Sequence, residues 1–126
     1  MKNKKWKNPN FLVALKHSID GIKYTFQNER NLKIQLVFAF SAIIVGIFLK
    51  LNYIEWAILA ITIGLVLFAE LINTAMELLS DLYSEEYNEK IKAIKDVTSG
   101  AVLLMSGLSV IVGFLVFLPK ILETLI

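Results

Sequence analysis

Long apolar runs along the chain alternate with short charged segments. Three runs carry no charged residue, and they read IQLVFAFSAIIVGIFL (34–49), WAILAITIGLVLFA (56–69) and VTSGAVLLMSGLSVIVGFLVFL (97–118). A helix that spans a bilayer needs about 20 mostly apolar residues, and the second run continues past Glu70 to Leu79. The pattern predicts three transmembrane helices, at about 34–50, 55–79 and 97–118.

The segment before the first run has a different periodicity. Apolar residues recur there at steps of four and three, at Phe11, Leu15, Ile19, Ile22 and Phe26. Polar and charged residues occupy the opposite side, which is typical of an amphipathic helix in the membrane interface. We therefore expect an all-α integral membrane protein with three spans and an N-terminal surface helix.

Glu29 is the exception in this N-terminal segment. At about 100° per residue, its side chain returns to the line of Phe11 and Ile22 if the helix stays straight. A bend at Gly21 would change that direction. A straight helix therefore predicts a carboxylate that points inward with the apolar stripe.

Composition supports the membrane assignment. The chain has 126 residues, of which 56% are hydrophobic, and a mean hydropathy of +0.64, so we expect one domain over residues 1–126. The first apolar run starts 33 residues in and has no small-residue cleavage site after it, so it is expected to be retained. The absence of Cys excludes disulfides and thiolate metal sites, and the single His17 excludes a His-cluster metal site within one chain.

The positive charges predict the orientation. Eight of the 13 Lys and Arg residues precede residue 34, three lie in 80–96, and one lies in each of the other two connecting or terminal segments. By the positive-inside rule, the segment 1–33 and the 80–96 hairpin are cytoplasmic. Nine of the 11 acidic residues lie on the same side. The charged residues are therefore expected to act inside the cell, in the cell membrane.

The second predicted span ends in a polar stripe. Helical geometry brings Glu70, Asn73, Glu77 and Asp81 onto one narrow face. Glu77 and Asp81 could be an ordinary solvated helix end. Glu70 lies within an apolar stretch, where an ionisable residue is costly and usually functional. Since Glu70 and Glu77 lie about 10 Å apart along the axis, they suit two tasks at neighbouring places.

The third span begins with the complementary group KDVTSG. Lys95, Asp96 and Ser99 fall within about 100° of arc. Lys95 could form an inert ion pair with a carboxylate or could hold a phosphate, and spacing alone leaves both open. Carboxylates, an Asn and a Lys at one interface suit Mg²⁺ with a polyphosphate, although no Gly-rich phosphate loop is present.

These residues carry a resemblance to a known family. ELINTAME, followed by SD, SEEYNE and KDVTSGAVLL and preceded by DGIKYTFQNERN, resembles the prokaryotic diacylglycerol kinases, which are integral membrane lipid kinases. The resemblance runs from about residue 11 to residue 118. INTA and ERN resemble the undecaprenol kinase branch more than the branch that acts on diacylglycerol.

The resemblance implies a role for individual residues. Glu70 matches the general base that takes the proton of the lipid hydroxyl, and it contacts the lipid together with Ser99. Glu29 and Glu77 match the carboxylates that bind Mg²⁺. The implied ATP-binding residues are His17, Glu29, Asn73, Glu77, Glu86, Tyr87, Asn88, Lys95 and Asp96.

The chain departs from the family pattern at a few positions. Asn88 ends a turn that often reads EYH, Gln35 stands where this branch often has His, and Ala93 and Ile94 replace a basic-Ala pair. Lys92 could supply the missing charge. The departures affect the expected specificity and nucleotide affinity more than the expected activity.

The expected function is transfer of the ATP γ-phosphate to a lipid alcohol, with undecaprenol as the first candidate and diacylglycerol as the alternative. The expected partners are ATP with Mg²⁺, the lipid alcohol, the membrane and two further copies of the chain in a homotrimer, with no nucleic acid. Small-xxx-small pairs in each span, such as Ala42 with Gly46, would allow close helix approach. A small multidrug transporter is a distant alternative, because it would need four spans and a midplane site.

Overall fold

The computed structural model describes residues 10–126, which form four α-helices without a strand. The helices are α1 (Phe11–Asn28), α2 (Arg30–Phe48), α3 (Tyr53–Tyr83) and α4 (Glu89–Leu125). Three of them, α2, α3 and α4, are long and apolar enough to cross a membrane. The predicted all-α architecture with three spans is confirmed, whereas the homotrimer stays a prediction. Part of the predicted surface segment, residues 1–9, lies outside the described residues.

Helix α1 ends at Asn28, directly before Glu29, the carboxylate that the sequence analysis treated as an exception. Asn10 caps its start by accepting the N–H of Val13 at 3.0 Å, and Gly21 lies within the helix. Glu29 has φ −114° and ψ 112°, so the chain leaves the helical conformation there and α2 starts at Arg30. The condition of a straight helix through Glu29 is therefore not met, because the break occurs at Glu29 itself. Helix α2 begins four residues before the predicted start of the first span.

A tight turn joins α2 to α3. Lys50 has φ 54°, a left-handed conformation, and the N–H of Leu51 reaches the carbonyl of Gly46 at 3.2 Å. This is the pattern with which helices commonly end. Helix α3 then begins with a reciprocal capping box, in which Asn52 and Glu55 each accept the other's backbone N–H at 2.9 and 3.0 Å. The turn fixes the direction in which α3 leaves α2.

Helices α3 and α4 form a long antiparallel hairpin. At about 1.5 Å per residue, the 31 residues of α3 extend about 46 Å and the 37 residues of α4 about 55 Å. Both exceed the hydrocarbon thickness of about 30 Å, and both extend beyond the predicted spans. Helix α4 continues through Pro119. The charged ends of the hairpin therefore project out of the apolar layer.

The packed core lies near the α2–α3 turn. Leu51, Leu59 and Val116 are buried together, and Trp56 packs against them. A Cβ atom added at Gly46 would lie 2.8 Å from the Trp56 ring and 2.9 Å from the Leu51 side chain. Gly46 therefore lets α2 approach α3 within one subunit, rather than being free to pack against a second copy.

Burial in the described chain is inverted relative to a soluble protein. Apolar side chains such as Phe48 and Leu103 are largely exposed, while Glu70 has no exposed surface. Exposed apolar surface on this scale requires lipid or further subunits around it. On α3, the polar residues Glu70, Asn73, Thr74 and Ser80 are buried, whereas Asp81 near the end of the helix is exposed.

Candidate functional site

Glu70 on α3 forms the buried centre of the site. One of its oxygens, Oε2, accepts a hydrogen bond from Nε2 of Gln35 on α2 at 3.3 Å. The other oxygen, Oε1, is buried and has no hydrogen-bond partner within residues 10–126. The hydroxyl of Thr74 donates to the Glu70 carbonyl at 3.0 Å. The carboxylate is thus enclosed, with one oxygen held and one free to receive a proton.

Asn73 and Glu77 continue the stripe along α3. Asn73 is only 6% exposed, and its Nδ2 donates to Oε1 of Glu77 at 3.2 Å. Its own Oδ1 is buried without a partner among the described residues. Since α3 is one uninterrupted helix, the predicted stripe exists, and Asn73 orients one carboxylate while presenting an acceptor of its own.

Glu29 joins this group from the α1–α2 break. The Glu29 side chain is half-buried, and this burial raises the pKa of Glu29. The negative charge of the nearby Glu77 carboxylate raises the same pKa further. The two residues are 48 positions apart in sequence. Two carboxylates that repel each other across a small gap are the arrangement that a divalent cation would relieve.

The acidic site fits Mg²⁺ through a small number of protein ligands. The described part of the chain contains no group of three His, Cys, Asp or Glu residues arranged for a metal. Mg²⁺ usually keeps several waters and binds through one or two carboxylates together with substrate phosphates. Glu29 and Glu77 are therefore the residues that would hold it, and the bound cation would neutralise phosphate charge.

Two ion pairs lie beyond Glu77, near the end of α3 and the start of α4. Lys95 Nζ binds Asp81 Oδ1 at 2.7 Å, and Lys92 Nζ binds Asp96 Oδ2 at 2.5 Å. All four side chains are substantially exposed, and exposed pairs of this kind contribute little to stability. Lys95 therefore forms an ion pair with Asp81, and a phosphate group could take the place of the Asp81 carboxylate at a small cost in free energy.

The loop that connects α3 to α4 contains three further residues that the sequence analysis assigned to ATP binding. Glu86 and Tyr87 are exposed. Asn88 caps α4, because its Oδ1 accepts the N–H groups of Lys90 at 2.8 Å and Ile91 at 3.4 Å. The Asn88 side-chain oxygen is thus engaged by the helix start, so any contact with a ligand would use its amide nitrogen.

His17 lies on α1, the helix that precedes Glu29. Its ring is half-buried, and its Nε2 is buried with no hydrogen-bond partner in the described chain. A buried imidazole nitrogen without a partner is an unmet polar group. The structure brings this ring nitrogen into no hydrogen bond with the acidic residues, so the contact of His17 with ATP stays a prediction.

An apolar groove of about 620 Å³ runs between α2, α3 and α4. Gln35 and Ser99 line it, so the predicted lipid-contact residue and the residue that binds Glu70 share one cavity. On α3, the apolar residues Ile63 and Val66 line the groove. They lie on the same face of the helix as the polar stripe, closer to the middle of the span. A hydrophobic tail in the groove would therefore point its polar end toward Glu70.

Gln35 is the residue that sequence reasoning missed as part of the site. It was noted only as a departure from a family pattern. The available signal was a lone amide in an otherwise apolar helix, since a polar side chain at membrane depth usually has a partner. Its partner could not be identified from sequence, because the two residues are 35 positions apart on different helices.

Comparison with known proteins shows the family to which the chain belongs. The family model for prokaryotic diacylglycerol kinase matches residues 16–117. The undecaprenol kinase of Bacillus subtilis (strain 168) is 37% identical over 111 residues, which cover 88% of this chain and 90% of the relative. The diacylglycerol kinase of Synechocystis sp. is 38% identical over 119 residues, covering 94% and 68%.

A more distant relative shows how far the similarity extends. The diacylglycerol kinase of Escherichia coli (strain K12) is 28% identical over 100 residues, which cover 79% of this chain and 82% of the relative. The match of the family model includes Glu29, the α3 stripe and the start of α4. The multipass helical chain with its buried Glu70 therefore belongs to the prokaryotic diacylglycerol kinase family of membrane lipid kinases.

Proposed function

We propose that the protein transfers the γ-phosphate of ATP to the hydroxyl of undecaprenol. The observation that carries the proposal is the fully buried Glu70, which has one free carboxylate oxygen and a hydrogen bond to a residue of an apolar groove. A lipid alcohol has both an apolar tail for the groove and a proton for the carboxylate. No water-soluble acceptor would need both features.

In this proposal Glu70 is the general base. It removes the proton from the lipid hydroxyl as that oxygen attacks the γ-phosphorus, and a positioned base is worth about 10² to 10⁴ in rate. Phosphoryl transfer otherwise depends mainly on positioning and charge neutralisation. Asn73 lies between Glu70 and Glu77 on α3, donates a hydrogen bond to Glu77 and has a buried Oδ1 without a partner in the described chain.

The proposed nucleotide site lies on the water side of Glu70. Glu29 and Glu77 would bind Mg²⁺ on ATP, and Lys95 would exchange its exposed partner Asp81 for a phosphate. The remaining proposed nucleotide contacts come from α1, α3, the loop between α3 and α4, and α4, namely His17, Asn73, Glu86, Tyr87, Asn88 and Asp96. The exposure of the ion pairs supports access by a soluble substrate.

Undecaprenol is the first choice of acceptor because the Bacillus subtilis relative, which is named an undecaprenol kinase, is covered over 90% of its length. Diacylglycerol is the second candidate, favoured by the name of the Synechocystis relative at 38% identity. Both are lipid alcohols that fit an apolar groove ending near Ser99.

We further propose a homotrimer in the cell membrane with the N-terminus and the acidic site in the cytoplasm. The distribution of Lys and Arg supports this orientation. The exposed apolar surface and the open face of Gly64, which has no atoms within 4 Å of an added Cβ, support packing against further helices.

The test is a direct assay of the purified protein in mixed micelles. Undecaprenol and diacylglycerol are supplied side by side with Mg²⁺ and radiolabelled ATP, and phosphorylated lipid is measured in each. We expect phosphate transfer to undecaprenol at the higher kcat/KM. Transfer only to diacylglycerol would reverse the choice of acceptor, and transfer to neither would contradict the kinase proposal.

A further inference from the structure

The two oxygens of Glu70 have unequal surroundings. Oε2 accepts the amide N–H of Gln35 at 3.3 Å, whereas Oε1 is buried without any partner in residues 10–126. The carboxylate as a whole has no exposed surface. Since a buried polar oxygen normally has a partner, Oε1 is the oxygen that can still accept a hydrogen bond or a proton.

The orientation of the Gln35 amide follows from the same contact. Its Nε2 faces the carboxylate, and its own Oε1 is buried without a partner in the described structure. The reversed amide would direct an oxygen at a carboxylate oxygen, and two acceptors repel each other. The distance of 3.3 Å is long for such a bond, but bonds of this kind in ligand-free sites often tighten when substrate binds.

We propose that Gln35 is a positioning residue that anchors Oε2 of Glu70 and thereby assigns Oε1 as the oxygen that accepts the proton of the lipid alcohol. This inference rests on the proposed function. In the step itself, the hydroxyl proton moves to Oε1, the alcohol oxygen forms a bond to the γ-phosphorus, and the bond from that phosphorus to the β–γ bridging oxygen breaks. ADP leaves with the electron pair of that bond.

The chemistry of an amide suits this place. Gln35 supplies N–H donors but no charge, in a region that already contains Glu29, Glu70 and Glu77. A carboxylate at this position would add repulsion and remove the donor, while an apolar residue would leave both oxygens of Glu70 unheld. Only a neutral side chain with a donor both fixes the carboxylate and preserves its charge.

The test compares side chains of similar size at position 35 in the full-length protein. Gln35→Met removes the donor and keeps the length, and Gln35→Leu is a second donor-free variant should the first fail to fold. Gln35→His restores an N–H donor. Gln27→Met is the matched control, because it makes the same chemical change at an exposed glutamine of α1.

Two readouts separate positioning from a structural effect. We expect Gln35→Met to lower kcat with undecaprenol by about tenfold to a hundredfold, as for loss of a hydrogen bond to a charged group. The KM for ATP is expected to stay unchanged, and Gln35→His is expected to recover part of the loss. The carboxylate infrared band that disappears in Glu70→Gln is expected to shift in Gln35→Met and not in Gln27→Met.

Each contrary result has its own meaning. Wild-type kcat in both donor-free variants, or a Glu70 band that does not shift, would overturn the positioning role. A loss confined to the KM for ATP would also overturn it. If the wild-type protein transfers no phosphate to either lipid while the band still shifts, the proposed function fails and the anchoring of Oε2 stands.

Discussion

Replacing Glu70 with Gln is the most direct test of the reaction chemistry. The two side chains have nearly the same size and shape, so the change removes the basic oxygen without opening a cavity. The donor of Gln35, at 3.3 Å, can still bind the oxygen of the new amide. The folded structure is therefore expected to survive, and its thermal unfolding temperature is expected to equal or exceed that of the wild type, since an enclosed charge is costly.

The expected loss of activity follows from the role of a base. A positioned general base contributes about 10² to 10⁴ in rate, which corresponds to about 2.7 to 5.4 kcal/mol at 1.36 kcal/mol per tenfold. We therefore expect Glu70→Gln to lose at least about a hundredfold in kcat. Nucleotide affinity is expected to change little, because Glu70 lies about 10 Å along α3 from Glu77.

The assay measures phosphorylated undecaprenol under saturating Mg²⁺-ATP, with binding of a fluorescent nucleotide and thermal unfolding as parallel measurements. Glu123→Gln is the control, because it makes the same change at an exposed carboxylate near the C-terminal end of α4. If Glu70→Gln retains more than about a tenth of wild-type turnover, Glu70 is not the base.

Three further predictions follow from the same geometry. Glu29→Gln and Glu77→Gln each remove a carboxylate from the proposed Mg²⁺ site, so each raises the Mg²⁺ concentration for half-maximal activity; an unchanged titration removes that residue from the site. Gly46→Ala places a Cβ 2.8 Å from the Trp56 ring and lowers stability by about 1–3 kcal/mol in thermal unfolding, whereas unchanged stability would mean that the ring moves freely. In a homotrimer with shared sites, mixing inactive Glu70→Gln and Glu29→Gln chains restores activity after subunit exchange; no recovery despite exchange places both residues in one chain's site.

The sequence predicted the spans because the signal is strong and local. A run such as 97–118 is long and apolar enough that it predicts a membrane-spanning helix. Helix α4 is longer than this run because the residues on either side of the run continue the same helix. The stripe on α3 was equally predictable, since helical geometry fixes the directions of Glu70, Asn73 and Glu77 once the helix exists. These predictions required no knowledge of how the helices pack.

Predictions that depended on packing were less complete. The break at Glu29 was missed because its neighbours continue the helical pattern, and a bend was considered only at Gly21. Likewise, Gly46 was predicted to allow close helix approach, but the sequence did not show that the side chain it accommodates is Trp56 of the same chain. Sequence periodicity gives the direction of a side chain from its own helix, but not which other helix it meets.

The depth of Glu70 has a consequence for substrate selection. Counted from Tyr53 at about 1.5 Å per residue, Glu70 lies about 26 Å along α3, near the far boundary of a hydrocarbon layer of about 30 Å. In the proposed reaction, any lipid whose hydroxyl reaches that boundary could give its proton to Glu70, so this carboxylate would not distinguish one lipid alcohol from another. We therefore expect discrimination to come from the groove between α2, α3 and α4, which would hold the tail, and from its polar lining residues Gln35 and Ser99. Substitutions within the groove should therefore change the preference between undecaprenol and diacylglycerol while leaving the Mg²⁺ and ATP dependence unaltered.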